Sequence, residues 1–63
     1  MALIPRSEID HMMTWITHAG RQLEAGNPTG AQRTLRKLYA EADYPEIRQA
    51  IEAAALEAGL SVR

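Results

Sequence analysis

Glu8 and His11 stand three residues apart, and His18 follows seven residues after His11. On a helix, Glu-x-x-His places a carboxylate and an imidazole on one face, the pairing that di-iron bundles use twice over with further glutamates. This chain has a single copy, and its two imidazoles would lie about 10.5 Å apart along a helix axis, too far to share a metal. Only several chains together could complete such a site, so no metal and no cofactor is expected. There is no cysteine, which removes thiolate ligands and disulfides together. No nucleophile stands beside a base in a recognisable arrangement. The glycine-rich stretch Gly26-Asn27-Pro28-Thr29-Gly30 lacks the lysine and the preceding strand of a phosphate-binding loop. No catalytic residue is assigned, and an enzyme is the least expected class.

Two other sets of residues can do chemistry of recognition. Arg33, Arg36 and Lys37, with Gln32 beside them, fall on the side of a helix opposite Leu35 and Leu38, where they could meet phosphates or base edges. Trp15, the single tryptophan, lies about 100° around the helix from the centre of the first helix's main apolar stripe. Leu56, with Ala53 and Leu60 near it, falls roughly opposite Ile47 and Ile51. A helix that is apolar on two sides is normally buried on two sides. A three-helix monomer supplies partners for one side only.

The elements that must position these residues are read from their punctuation. Ser7 is the expected cap of a first helix, with Asp10 in its first turn facing the positive end of the dipole. Ile9, Met12, Met13, Ile16, Ala19 and Leu23 mark its apolar face. Gly20 inside that run marks a close helix contact or a weak point. Gly26 stops the helix as a left-handed cap, Asn27 caps the next, and Pro28 takes its first position. Ala31, Leu35, Leu38 and Ala42 form the second apolar face. Tyr44-Pro45 breaks the chain and starts a third helix, whose stripe is Ile47, Ile51, Ala54 and Ala58, closed by Gly59. Ion pairs are expected one turn apart on the outer faces, Lys37 with Glu41 and Arg48 with Glu52. The fold class is therefore all-α. One domain over residues 1–63 holds helices at about 8–25, 28–42 and 45–58, joined as antiparallel hairpins by very short turns.

Bulk properties narrow the function further. A chain of 63 residues buries only about 60% of the surface that its unfolded form exposes. Domains below ~70–80 residues usually lean on disulfides, a metal or oligomerisation. Oligomerisation or docking on another protein is the expected support here, and the three helices are expected to be completed by self-association, as a homodimer or larger. The formal charge of −1 gives no global pull toward nucleic acid or anionic lipid. Apolar residues make up 46% of the chain but never run to ~20 in a row, so no membrane span is expected. The first ten residues lack the apolar core of a secretory signal, and a cytoplasmic location is the default.

Two family resemblances follow from these residues. Thr29 to Leu38, "TGAQRTLRKL", resembles the recognition helix of helix-turn-helix DNA-binding domains, in which polar and basic residues precede a Leu-x-x-Leu core pair. That resemblance implies nucleic-acid contacts by Gln32, Arg33, Arg36 and Lys37, and it stands as the alternative. The set Trp15, Ala19, Gly26-Asn27, Ala31 and Leu35 resembles a single tetratricopeptide repeat, with residues 45–58 as a capping helix. It implies protein–protein binding: a small adaptor, chaperone-like partner or inhibitor that occupies another protein's surface. On the leading reading the partner-binding residues are Trp15 first, then Met12, Met13, Ile16, Leu56 and Leu60, with Tyr39 at the rim. Tryptophan dominates interface energetics when desolvated, and methionine adapts to irregular partners.

Overall fold

Pro5 holds an extended backbone (φ −58°, ψ 140°), and its carbonyl accepts from the amides of Glu8 at 3.0 Å and Ile9 at 3.4 Å. The first helix therefore starts at Arg6, two residues earlier than its punctuation suggests, and Ser7 is already inside it. A helical residue cannot hold the extended angles of a cap, so Ser7 makes no capping hydrogen bond. Glu8, rather than Asp10, is the carboxylate in the first turn. The computed structural model describes residues 3–63 and contains α1 (Arg6–Glu24), α2 (Pro28–Glu41) and α3 (Pro45–Glu57), with no strand among the described residues.

The elbow after α1 takes the form its residues imply. Gly26 adopts φ 78°, a left-handed conformation that strains any residue bearing a Cβ. Its amide donates to the Leu23 carbonyl at 3.0 Å, and the Asn27 amide donates to the Gln22 carbonyl at 2.8 Å. This pair of bonds is the Schellman motif, which satisfies carbonyls at the end of a helix. The Asn27 side chain then accepts from the Gly30 amide at 3.0 Å, so one residue closes α1 and caps α2. A Cβ on Gly30 would collide with the Asn27 side-chain amide and come within 2.9 Å of Gln22 Nε2. The second glycine of the stretch thus makes room for the cap.

With so short an elbow, α2 returns along α1. The end of α1 meets the start of α2, where the Thr34 hydroxyl lies 2.7 Å from Gln22 Oε1 and 3.0 Å from the Gly30 carbonyl. At the other end, Met12 lies beside Leu38 and Ala42, with Ile47 of α3 completing the group. The two helices are antiparallel, and α3 packs on both with its own direction reversed relative to α2.

Met12, Ala19, Ala31, Leu35, Leu38, Ile47, Ile51, Ala55 and Val62 are the buried core. Several side chains are placed differently from their positions on the apolar stripes. Ile9 and Met13 face outward while Met12 faces in, because α2 lies against one half of a wide apolar arc. On α3, Ala55 is buried, Ala54 is half-buried and Ala58 is exposed. Gly20 does not permit a close helix contact, since nothing lies within 4 Å of where its Cβ would be.

The α3 end repeats the elbow's geometry. Gly59 has φ 72°, its amide donates to the Leu56 carbonyl at 3.0 Å, and the Leu60 amide donates to the Ala55 carbonyl at 2.8 Å. Beyond it the chain lies back on the core: Leu60 packs against it and Val62 is buried. Arginines fasten this half. Arg36 Nε donates to the Ser61 carbonyl at 3.2 Å, and Arg48 Nη1 donates to the Ala42 carbonyl at 3.0 Å. The only ion pair among the described residues joins Arg63 and Glu52 at 2.7 Å. The expected pairs Lys37–Glu41 and Arg48–Glu52 do not form. An exposed helical pair contributes only ~0.3–0.5 kcal/mol; Arg48 turns instead to the Ala42 carbonyl and Glu52 to Arg63.

Candidate interaction surfaces

Trp15 sits on the outer side of α1 and is 42% exposed. Its indole stands between two imidazoles of the same helix. The ring centres are 6.3 Å from His11 and 5.5 Å from His18, both edge-on. Edge-to-face rings at such distances attract through their quadrupoles, so the indole is held in place rather than free to swing. Across from it, Arg33, Thr34, Lys37 and Glu41 of α2 form the other wall of an open groove of about 390 Å³, with Leu38 at its floor. This groove has an aromatic wall, an aliphatic floor and a rim carrying two cations and one carboxylate.

Leu56 belongs to a second surface, built by α3 and the tail alone. It is the most exposed large apolar side chain outside the N-terminal segment, at 77%. Glu52, Ala55, Leu60, Ser61, Val62 and Arg63 surround it. Glu57 stands next to it, exposed and outside any ion pair. Met13 is 54% exposed on a third stretch of surface, among Thr14, Thr17, His18 and Arg21.

The residues singled out for partner binding are thus divided. Trp15, Met13 and Leu56 face solvent. Met12 is buried against α2 and α3 and cannot contact a partner without unfolding. Ile16 and Leu60 are half-buried and serve mainly to pack the helices. Tyr39 is half-buried near the tail, where its hydroxyl adds to the effect of Glu52 in raising the Arg63 guanidinium above its ordinary value. The carboxylate does most of this, through a two-point contact at 2.7 and 3.4 Å.

The residues of the nucleic-acid alternative are divided too. Arg33 and Lys37 point into the Trp15 groove and are exposed. Gln32 is half-buried, and Arg36 donates to the Ser61 carbonyl of the tail. Arg33 and Lys37 thus line the groove, while Arg36 is engaged by the tail. The partnership of Trp15 with Arg33 and Lys37 across a groove went unread in the sequence, although their positions on two antiparallel helices encode it. Counting back from the elbow sets Trp15 and Lys37 at similar heights.

Among the described residues there is no group of three or more His, Cys, Asp or Glu side chains placed to hold a metal. No described helix is long and apolar enough to cross a membrane. No family model matches the chain, and no curated protein or solved structure matches it either.

Proposed function

We propose that the chain is a small, non-enzymatic protein–protein interaction module of the cytoplasm that acts by occupying surfaces and associates with itself. One observation carries this: a tryptophan at 42% and a leucine at 77% exposure stand on surfaces that share no residue, on a domain whose described core is nine residues. Exposed aromatic side chains rimmed by charge are the usual anchors of protein interfaces. The repeat-like hairpin of α1 and α2 fits the same role, with Ala19, Ala31 and Leu35 packed between its helices. Cross-linking in the chain's own host, followed by mass spectrometry, tests it. Adducts should form with the wild type and be lost with Trp15→Ala; an unchanged set of adducts would sink the proposal.

Arg33 and Lys37, two exposed cations outside any ion pair, support a second reading as a nucleic-acid binder. A gel shift that weakens steeply with salt and disappears in the Arg33→Ala, Lys37→Ala double variant would favour it. Arg36→Ala would then act through the tail rather than through phosphate.

A further inference from the structure

We infer that two copies of this chain join by seating Leu56 of one in the Trp15 groove of the other. The inference rests on the self-associating interaction module proposed above and names its contact. The groove offers what a leucine side chain needs: the Trp15 indole on one wall and Leu38 beneath. Leu56 is the only large apolar side chain of α3 that stands clear of the core. The charges around the two surfaces are complementary. Arg33 and Lys37 outweigh Glu41 at the groove. Next to Leu56 in the chain stands Glu57, exposed and outside any ion pair among the described residues, at the edge of the Leu56 surface on the side of α1, whereas Glu52 is paired with Arg63. Such complementarity sets orientation and speeds encounter more than it adds affinity.

Within one chain the two surfaces cannot meet. The groove is built by α1 and α2, the Leu56 surface by α3 and the tail, and no residue belongs to both. A wedge and a socket at different places on one molecule make a heterologous contact, which adds copies head to tail unless the rotation closes a ring. A second copy is favoured over a foreign acidic helix because this chain carries both halves of the contact. Its thin, disulfide-free core also leaves association as the remaining way to bury more apolar surface.

Sedimentation of the full chain over a wide concentration range tests this, with circular dichroism confirming that each variant is helical. The wild-type average mass should rise with concentration. Trp15→Ala and Leu56→Glu should each remain monomeric, and their equimolar mixture should regain a dimer, since one copy keeps the wedge and the other the socket. The double variant Arg33→Glu, Lys37→Glu alters only exposed side chains and should weaken association at least tenfold. A monomeric wild type overturns the inference, as does association unaffected by Leu56→Glu or a mixture that stays monomeric. If the wild type is monomeric but Trp15→Ala still removes the host adducts, a foreign partner occupies the groove: the contact between copies falls and the interaction module stands. If the adducts are also unchanged, both fall.

Discussion

Gly26 and Gly59 end their helices with the same two hydrogen bonds and the same left-handed turn, yet the chain does different things after each. After Gly26, the Asn27 side chain caps a new helix, which returns antiparallel along α1. After Gly59, residues 60–63 lie back on the core as an irregular strip, held by the burial of Val62 and by arginine contacts to Ser61 and Glu52. One side of the molecule is closed by a helical seam and the other by a strip of chain. Leu56 stands exposed on the strip side, where residues 60–63 leave it uncovered.

Core truncations should separate the two regions most strongly. Leu35→Ala in the hairpin seam and Ile51→Ala in α3 each remove a nearly fully buried side chain, at 2% and 0% exposure. Each should cost about 2–5 kcal/mol in denaturant unfolding. On so small a domain either is enough to unfold much of the population. The sharper test is local: hydrogen exchange in Ile51→Ala should speed up first in α3 and the tail, with the α1–α2 elbow last to open.

Alanine at the two glycines is next. Forcing a Cβ into the left-handed region costs about 1–2 kcal/mol. Gly26→Ala should show all of this in the melting temperature, because the hairpin depends on the turn. In Gly59→Ala part of the loss should appear instead as faster exchange of the Leu60 amide, as the tail lets go. Equal global losses at both sites would erase the distinction between elbow and strip. Gly20→Ala should act in the opposite direction. It sits mid-helix with open space where a Cβ would go, so alanine should stabilise the chain by ~1 kcal/mol. The smallest effect is expected at Arg63→Gln, where the ion pair to Glu52 is exposed and screened by salt, so the melting temperature should stay within error.

Much of this fold is legible in the chain. Gly26, Asn27 and Pro28 have distinct backbone requirements that admit one arrangement, and Tyr44-Pro45 is nearly as restrictive. Where the residues permit several arrangements, the sequence leaves the choice to tertiary contact. Ser7, Glu8 and Asp10 all suit a helix start, and the Pro5 carbonyl settled it. Met12 and Met13 are equally apolar neighbours, and only the position of α2 decides which is buried. The run of alanines on α3 gives no size contrast to pick Ala55 over Ala54. The tail has no periodicity at all, so the burial of Val62 and the diversion of Arg36 to Ser61 are absent from any helical wheel. The same applies to the candidate surfaces. Trp15 and Leu56 stand out as apolar residues in the wrong places, but the groove that joins Trp15 to Arg33 and Lys37 exists only once two helices are side by side.

Because Trp15 is the single tryptophan, its fluorescence reports on the groove alone. The most direct test is its emission spectrum followed through a dilution series, for the wild type and for Leu56→Glu. If Leu56 of a second copy fills the groove, wild-type emission moves to shorter wavelength as concentration rises and the indole is desolvated, while Leu56→Glu keeps the exposed spectrum throughout. A wild-type spectrum independent of concentration, or one that shifts equally in Leu56→Glu, would contradict the account.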